Sequence, residues 1–254
     1  METEEELVEL QETLYTSTNP TRRWLHCIRR DWITDALRRY ASLDSHETDT
    51  ALEVGPGSGV YLPVLADLFQ NLYGSDIENA YLKHAYTLLS KVSNLTLAVD
   101  DITDSNLTEG SFDLILCTEV VEHIVDSQAA ITQMHHLLKP GGVLVLSTPQ
   151  RYSPLEILAK VAFLPGIIQL VRFIYQEPIL DSGHINLMTE TQVRGQLDAA
   201  GFSIVERHKS GMYLPVIAEF TGGYGLSMEK FLEKKLLGGP LDWLLWTQYY
   251  IARA

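Results

Sequence analysis

The chain has few cysteines and no long uncharged apolar run. Its two cysteines, Cys27 and Cys117, lack the close spacing of metal-binding pairs, which excludes a disulfide scaffold and a zinc ribbon. No apolar run free of charges reaches the roughly 18 residues that a bilayer-spanning helix needs. The start, Met1-Glu2-Thr3-Glu4-Glu5-Glu6, is acidic where a signal peptide is basic. The sequence therefore predicts a cytoplasmic protein with reduced thiols.

Basic residues are also scarce, because 19 Lys and Arg face 33 Asp and Glu and give a net charge of −14. Nucleic acids are bound by basic surfaces, so we expect no nucleic-acid partner. Several of the basic residues lie between 20 and 40: Arg22, Arg23, Arg29, Arg30, Arg38 and Arg39. We interpret them as solvated, with a patch for an anionic substrate or a lipid surface as the alternative.

Short apolar runs alternate with helical stretches through the first two thirds of the chain, which predicts a parallel sheet with helices on both faces. A helical start spans 3–40, with Pro20 in the first turn of a second helix. The predicted strands are 51–54, 71–76, 95–99, 112–117 and 143–147, and the helices are 60–69, 79–90 and 127–138. Lys139-Pro140-Gly141-Gly142 is predicted as a turn. Later elements are a helix over 192–200, a strand over 202–207, a helix over 228–237 and a final strand within 243–252.

Residues 153–180 are mostly apolar, with charges only at Glu156, Lys160, Arg172 and Glu177. Pro165-Gly166 divides this stretch into two predicted helices. Exposed apolar helices need a cover or a use. A cap over an apolar pocket and a membrane-contacting hairpin both provide one, and we favour the cap because apolar stretches usually bury themselves. Either interpretation predicts a substrate with an apolar part.

The strongest motif is Leu52-Glu53-Val54-Gly55-Pro56-Gly57-Ser58-Gly59, an apolar strand that leads into three alternating glycines and then a helix. Glycines in such a loop allow a tight turn and the close approach of a ligand. A dinucleotide fingerprint would need its third glycine at Val60. Asp76 closes the next strand, where a carboxylate can accept both ribose hydroxyls of a nicotinamide cofactor or of S-adenosylmethionine (SAM).

The pattern Glu-x-Gly-x-Gly-x-Gly resembles motif I of class I SAM-dependent methyltransferases. Three further stretches are similar to this family, namely Asp101-Ile102, 112–124 and 137–148, and together the matches cover residues 51–149. The resemblance implies a Rossmann-like three-layer sandwich. Its sheet has seven mostly parallel strands with an antiparallel last strand, and a helical cap is inserted. Residues 183–189, the tail at 241–248 and the apolar insertion have a weaker resemblance to ubiquinone-biosynthesis O-methyltransferases.

The resemblance also implies which residues bind SAM. The glycine loop would cradle its amino-acid part, Asp76 its ribose, and Asp101 with Ile102 its adenine. The full predicted set is Glu53, Gly55, Gly57, Gly59, Asp76, Ile77, Asp101, Ile102, Thr118 and Glu119.

Two histidines are candidate general bases, because imidazole accepts a proton near neutral pH. His123 follows the fourth strand, and His184 follows the apolar insertion. For each, a purely structural role is the alternative. The spacing of Glu119, Glu122 and His123 resembles a divalent-metal site of ubiquinone-type O-methyltransferases, but the same residues occur in metal-free relatives, so we predict no metal.

We predict a single methyltransferase domain over 1–254. It comprises an N-terminal helical cap (1–47), a SAM-binding core (48–150), and the cap insertion with the remaining strands (151–254). The predicted activity is methyl transfer from SAM to a small apolar or lipid-like acceptor, with oxygen favoured and peripheral membrane contact through 153–180 as an option. The alternatives are a non-catalytic SAM-binding protein of the same fold and an N- or C-methyltransferase of a small metabolite.

Overall fold

Seven strands form one sheet in the computed structural model, which describes residues 14–41, 49–89, 92–164, 169 and 183–254. The strands are β1 (Thr50–Val54), β2 (Asn71–Asp76), β3 (Leu95–Val99), β4 (Phe112–Thr118), β5 (Leu138–Pro149), β6 (Ser203–Ser210) and β7 (Thr247–Arg253). Their order is β3-β2-β1-β4-β5-β7-β6. Strand β7 runs antiparallel to β5 and β6, and the other pairs are parallel.

Helices cover both faces of this sheet. They are α1 (Pro20–Ala41), α2 (Leu62–Leu68), α3 (Asn79–Leu88), α4 (Ser127–Leu137), α5 (Pro154–Ala162), α6 (Glu190–Ala199), α7 (Pro215–Thr221) and α8 (Gly223–Leu236). Successive residues of a strand point to opposite faces. Accordingly, Ile115 and Cys117 of β4 pack with α4 and α6, and Leu114 and Leu116 pack with α1, α2 and α3. The predicted three-layer sandwich is confirmed.

The structure corrects one prediction inside the sheet. Lys139–Gly142 lies within β5 and does not form a separate turn. The Pro-Gly-Gly sequence that suggested a turn instead coincides with an irregularity in the strand pairing. Gly141 has a φ of +80°, and the β4–β5 register shifts between Phe112 and Leu114. The chain bends there without leaving the sheet. Helix α7 is a further difference, because the sequence analysis did not predict it.

The N-terminal and inserted segments agree with the sequence where they are described. Helix α1 begins at Pro20, and Asn19 Oδ1 caps it by accepting hydrogen bonds from the backbone N–H groups of Thr21 and Arg22. Helix α5 matches the first half of the apolar insertion. The predicted helices before residue 14 and after Pro165-Gly166 lie outside the described residues. Every helix within the described ranges is too short or too polar to cross a bilayer.

Candidate active site

The glycine loop lies at the carboxyl end of β1, between the ends of β2 and β4. Gly55 donates a backbone hydrogen bond to Ser75 O at 2.8 Å, and Gly59 donates one to Pro56 O at 2.7 Å. Gly55 has a φ of +66°, and a Cβ placed on it would lie 2.5 Å from Val120 Cγ2. The backbone at Gly55 therefore passes too close to Val120, two residues after β4, to carry a side chain.

Glu53 provides a buried carboxyl group directly beneath this loop. Its side chain is buried in β1 with 1% exposure, and among the described residues Oε2 has no hydrogen-bond partner. Burial raises the pKa of Glu53 to about 8. A buried polar atom without a partner is costly. A cationic or hydrogen-bond-donating part of a ligand in the loop would supply the missing partner.

The pKa of Glu53 predicts a pH dependence of stability. The unfolded carboxyl loses its proton near 4.5, whereas the folded one keeps it up to about 8. The stabilising contribution of protonated Glu53 to the free energy of unfolding is therefore fully present below pH 4.5. As the pH rises toward 8, the free energy of unfolding falls by about 1.4 kcal/mol per pH unit through this group.

Urea unfolding of the wild type and of Glu53→Gln, at about pH 5 to 8, measures this contribution. The glutamine variant should gain stability relative to the wild type as the pH rises. Glu109→Gln, an exchange at an exposed carboxylate, should follow the wild-type curve. Parallel curves for the wild type and Glu53→Gln would contradict the buried-acid interpretation.

Asp76 ends β2 beside the loop, as predicted. It is partly buried, its Oδ1 accepts a hydrogen bond from Glu78 N at 2.8 Å, and burial raises its pKa. Ile77 follows it and is 65% exposed. A carboxylate at a strand end next to exposed apolar surface suits a ribose and an adjacent base.

The two aspartates after β3 differ in their surroundings. Asp101 is exposed, and its Oδ1 accepts hydrogen bonds from Thr103 N and Oγ1, which hold its pKa below the ordinary value. Asp100 is buried, and its Oδ2 has no partner among the described residues. Ile102 lies in the core cluster on the α4 and α6 face. The assignment of Asp101 and Ile102 to the adenine stays a prediction, and Asp100 is the carboxyl group whose buried oxygen lacks a partner.

Thr118 ends β4, and Glu119 follows it with a φ of +54°, the one positive φ outside glycine among the described residues. Glu119 Oε1 accepts a hydrogen bond from Ser147 Oγ at 2.8 Å, and Oε2 pairs with Arg29 NH1 at 2.7 Å. Arg29 is only 8% exposed, which contradicts its interpretation as a solvated residue. The sequence does hold an indication of this burial, because Arg29 lies four residues after the apolar Leu25 and residues four apart share a helix face. Arg29 therefore joins α1 to the site.

His123 and His184, the two candidate bases, come together. Their ring centroids are 5.2 Å apart. His123 Nδ1 donates a hydrogen bond to Gly183 O at 3.1 Å, which leaves Nε2 with its lone pair. Burial, followed by the neighbouring His184, lowers the pKa of His123. Its imidazole is thus neutral near neutral pH and able to accept a proton.

Glu156 of α5 is a site residue that sequence reasoning missed. It is 4% exposed, and its Oε2 lies 3.2 Å from His184 Nδ1. Its Oε1 accepts a hydrogen bond from Trp246 Nε1 at 2.9 Å. The sequence shows Glu156 only as one charge in an apolar stretch, and Trp246 is 90 residues away. A carboxylate held at both oxygens orients the ring of His184 so that Nδ1 carries the proton and donates a hydrogen bond to Glu156, and Nε2 is the unprotonated nitrogen.

Glu122 completes the polar cluster. It is fully buried, its Oε2 accepts a hydrogen bond from Thr148 Oγ1 at 3.0 Å, and burial raises its pKa well above the usual range. Ligand atoms of Glu122, His123 and His184 lie within 4.8 Å of one another, so these three could hold a metal ion. Glu119 instead engages Arg29. The predicted absence of a metal stays a prediction.

Strand order and glycine loop together define a Rossmann-like α/β protein with a ligand site at the carboxyl ends of its strands. A profile of the methyltransferase domain family matches residues 24–207. The chain therefore belongs to the class I SAM-dependent methyltransferases, and SAM is the cofactor of this family.

Two curated relatives are ubiquinone biosynthesis O-methyltransferases. The one from Psychrobacter cryohalolentis is 34% identical over 157 residues, which are 57% of this chain and 60% of that protein. The one from Pseudomonas paraeruginosa is 34% identical over 125 residues, covering 48% and 53%. The match thus spans between half and about three fifths of the length of these relatives.

Solved structures with low sequence identity share the fold. N-methyltransferase NodS from Bradyrhizobium japonicum, in complex with S-adenosylhomocysteine (SAH), superposes with a TM-score of 0.58 at 20% identity, covering 98% of this chain and 95% of that one. A SAM-dependent methyltransferase from Aquifex aeolicus has a TM-score of 0.58 at 12% identity, covering 100% and 99%. These likenesses confirm the predicted architecture.

Proposed function

We propose that the protein transfers a methyl group from SAM to a small acceptor with an apolar part, on oxygen in preference to nitrogen or carbon. The observation that carries this proposal is the pair His123 and His184 near the carboxyl end of β4, with His184 oriented by the buried Glu156. A hydroxyl acceptor gains from a base that removes its proton. The similarity to ubiquinone biosynthesis O-methyltransferases supports the same choice.

The residues at the strand ends suit the cofactor. The glycine loop at the end of β1 would cradle the amino-acid part, and Glu53 Oε2, which has no hydrogen-bond partner among the described residues, could accept one from its ammonium group. Asp76 would hold the ribose. Asp101 with Ile102, and Thr118 with Glu119, complete the proposed set. When bound, SAM supplies an electrophilic methyl group on a sulfonium centre.

The chain contributes position and proton transfer. Holding two reactants in line can supply about 7–11 kcal/mol of the barrier. A general base adds about 10²–10⁴-fold. We assign the base to His184 Nε2, because Glu156 fixes the opposite nitrogen as the donor. His123, whose Nδ1 is held by Gly183 O, is the second group able to accept a proton there.

The apolar residues of α5 support the proposal that the acceptor has an apolar part. This helix places Leu155 against the cluster of Leu25, Tyr213, Ala218 and Trp246. Its outer side exposes the apolar residues Ile157, Leu158 and Val161, and Leu164 just after the helix is also exposed. We favour the use of 153–180 as a cap over the acceptor, within one domain whose core is 48–150, and membrane contact through this stretch is the other proposal.

A methyl-transfer assay with paired acceptors tests the proposal. The protein is incubated with methyl-labelled SAM and with phenols, catechols and quinols that carry short or long alkyl tails, each beside the matching aniline. Label should enter O-methyl products, in amounts that rise with tail length. Label in amines alone would contradict O-methylation. Lack of transfer to any acceptor, by protein that binds SAH, would favour a non-catalytic SAM-binding protein.

A further inference from the structure

Helix α8 directs both of its acidic residues into the protein. Glu229 accepts hydrogen bonds from Thr21 Oγ1 at 2.8 Å and from Leu214 N at 2.8 Å. Glu233 Oε2 accepts hydrogen bonds from the backbone amides of residues 211–212 at 2.7 and 3.0 Å. These contacts fix the rotation of the helix about its axis. Its outward face therefore carries no carboxylate of its own.

That outward face combines aromatic and basic side chains. Tyr224, Met228 and Phe231 are 90%, 37% and 60% exposed, and their spacing places them on one side of the helix. Two exposed lysines lie along or beside the same stripe: Lys234 and Lys235. Lys235 Nζ lies 5.8 Å from the Phe231 ring centroid. We name these five residues, Tyr224, Met228, Phe231, Lys234 and Lys235, the α8 outer face.

We propose that the α8 outer face binds the surface of an anionic lipid bilayer. Amphipathic aromatic rings settle at the headgroup level, and lysines beside them attract anionic headgroups. The net charge of −14 does not prevent this, since charges more than about 8 Å away are largely screened at physiological salt. Acidic surfaces elsewhere on the chain would be repelled by the anionic bilayer, which confines the contact to this locally basic face.

A second copy of the chain is a poorer occupant of the α8 outer face. A two-fold interface places the same patch on both subunits, so the two lysines of one copy would meet those of the other. An anionic bilayer has the opposite charge along the whole patch. The inference is independent of the acceptor and uses a surface separate from 153–180.

This surface is mechanically connected to the candidate active site. Thr21, which hydrogen-bonds Glu229 of α8, lies on the buried face of α1 together with Arg29. Arg29 in turn pairs with Glu119 at the end of β4. Binding through α8 would therefore hold the N-terminal helix, and the site that it borders, close to the bilayer.

Vesicle flotation tests the proposal. The full chain is mixed with vesicles of phosphatidylcholine alone, or of phosphatidylcholine and phosphatidylglycerol at about 7:3, in about 100 mM salt. The wild type should float with the anionic vesicles only. Lys234→Glu/Lys235→Glu should weaken partitioning at least about 30-fold, since each lysine near an anionic surface contributes about fivefold. Tyr224→Ser/Phe231→Ser should weaken partitioning too, and this loss should persist at high salt, where the lysines are screened.

The control is Arg38→Glu/Lys83→Glu, which changes the net charge equally at exposed positions of α1 and α3 and should float like the wild type. Circular dichroism establishes that each variant is folded. Equal flotation of the wild type and the lysine variant would overturn the proposal, as would failure of the wild type to float. A wild-type dimer that Tyr224→Ser/Phe231→Ser dissociates would overturn it in favour of a self-interface.

Discussion

Replacing Asp76 with alanine is expected to weaken SAH binding about 100-fold without unfolding the protein. We propose that the carboxylate at the end of β2 accepts hydrogen bonds from two ribose hydroxyls, and a hydrogen bond to a charged group contributes about 1.5–3 kcal/mol. Loss of both corresponds to roughly 3 kcal/mol, or two orders of magnitude in Kd. Asp76 is only partly buried and bonds locally to Glu78 N, so its removal leaves no large cavity.

Calorimetric titration with SAH measures this effect directly. Asp104→Ala, at an exposed aspartate in the loop after β3, serves as the matched control and should bind SAH like the wild type. Unchanged affinity in folded Asp76→Ala would show that the cofactor is not held at the end of β2. The assignment of the glycine loop would then have to be revised with it.

Replacing His184 with asparagine is expected to lower kcat by about 10²–10⁴-fold, the range of a general base. Glu156→Gln should cause a smaller loss, because glutamine can present either its oxygen or its amide group to His184 Nδ1 and no longer imposes one tautomer. Neither variant should change SAH affinity, since both residues act on the acceptor side. The measurement is kcat and KM against pH with an acceptor identified in the paired screen.

Two controls separate proton transfer from folding. His136→Asn removes an exposed histidine at the end of α4 and should leave kcat unchanged. Nitrogen-15 NMR of the histidine rings should find Nδ1 of His184 protonated in the wild type and a mixture of tautomers in Glu156→Gln. A wild-type kcat in His184→Asn would contradict the assignment of the base. An unchanged tautomer in Glu156→Gln would contradict the positioning role of Glu156.

The core of the fold could be predicted because its signals are local. Strands β1 to β4 lie within a residue of their predicted bounds, since short apolar runs end at glycine, aspartate or polar turns. The glycine loop and Asp76 follow from the same reasoning, because the carboxyl ends of neighbouring parallel strands meet at one edge. The turn predicted at Lys139–Gly142 failed because its glycines produce a bend within β5.

The remaining site residues depend on contacts between distant segments. Arg29 meets Glu119 across 90 positions of the sequence, and Glu156 meets Trp246 across another 90. No periodicity specifies such pairs. Arg29 was predicted to be solvated, and its contact with Glu119 has no local signal in the sequence. The same holds for Asp100 and Asp101. The sequence does not specify which of these neighbours accepts hydrogen bonds from Thr103, as Asp101 does in the structure, and which is left to face a ligand.

Calorimetric titration of the purified wild type with SAM, SAH and NADH tests the central claim most directly. The glycine loop, the buried Glu53 oxygen that has no partner in the described part of the chain, and the family membership together predict micromolar binding of SAM and SAH and no binding of NADH. Binding of NADH, with no heat from SAM or SAH in folded protein, would contradict the account of the site.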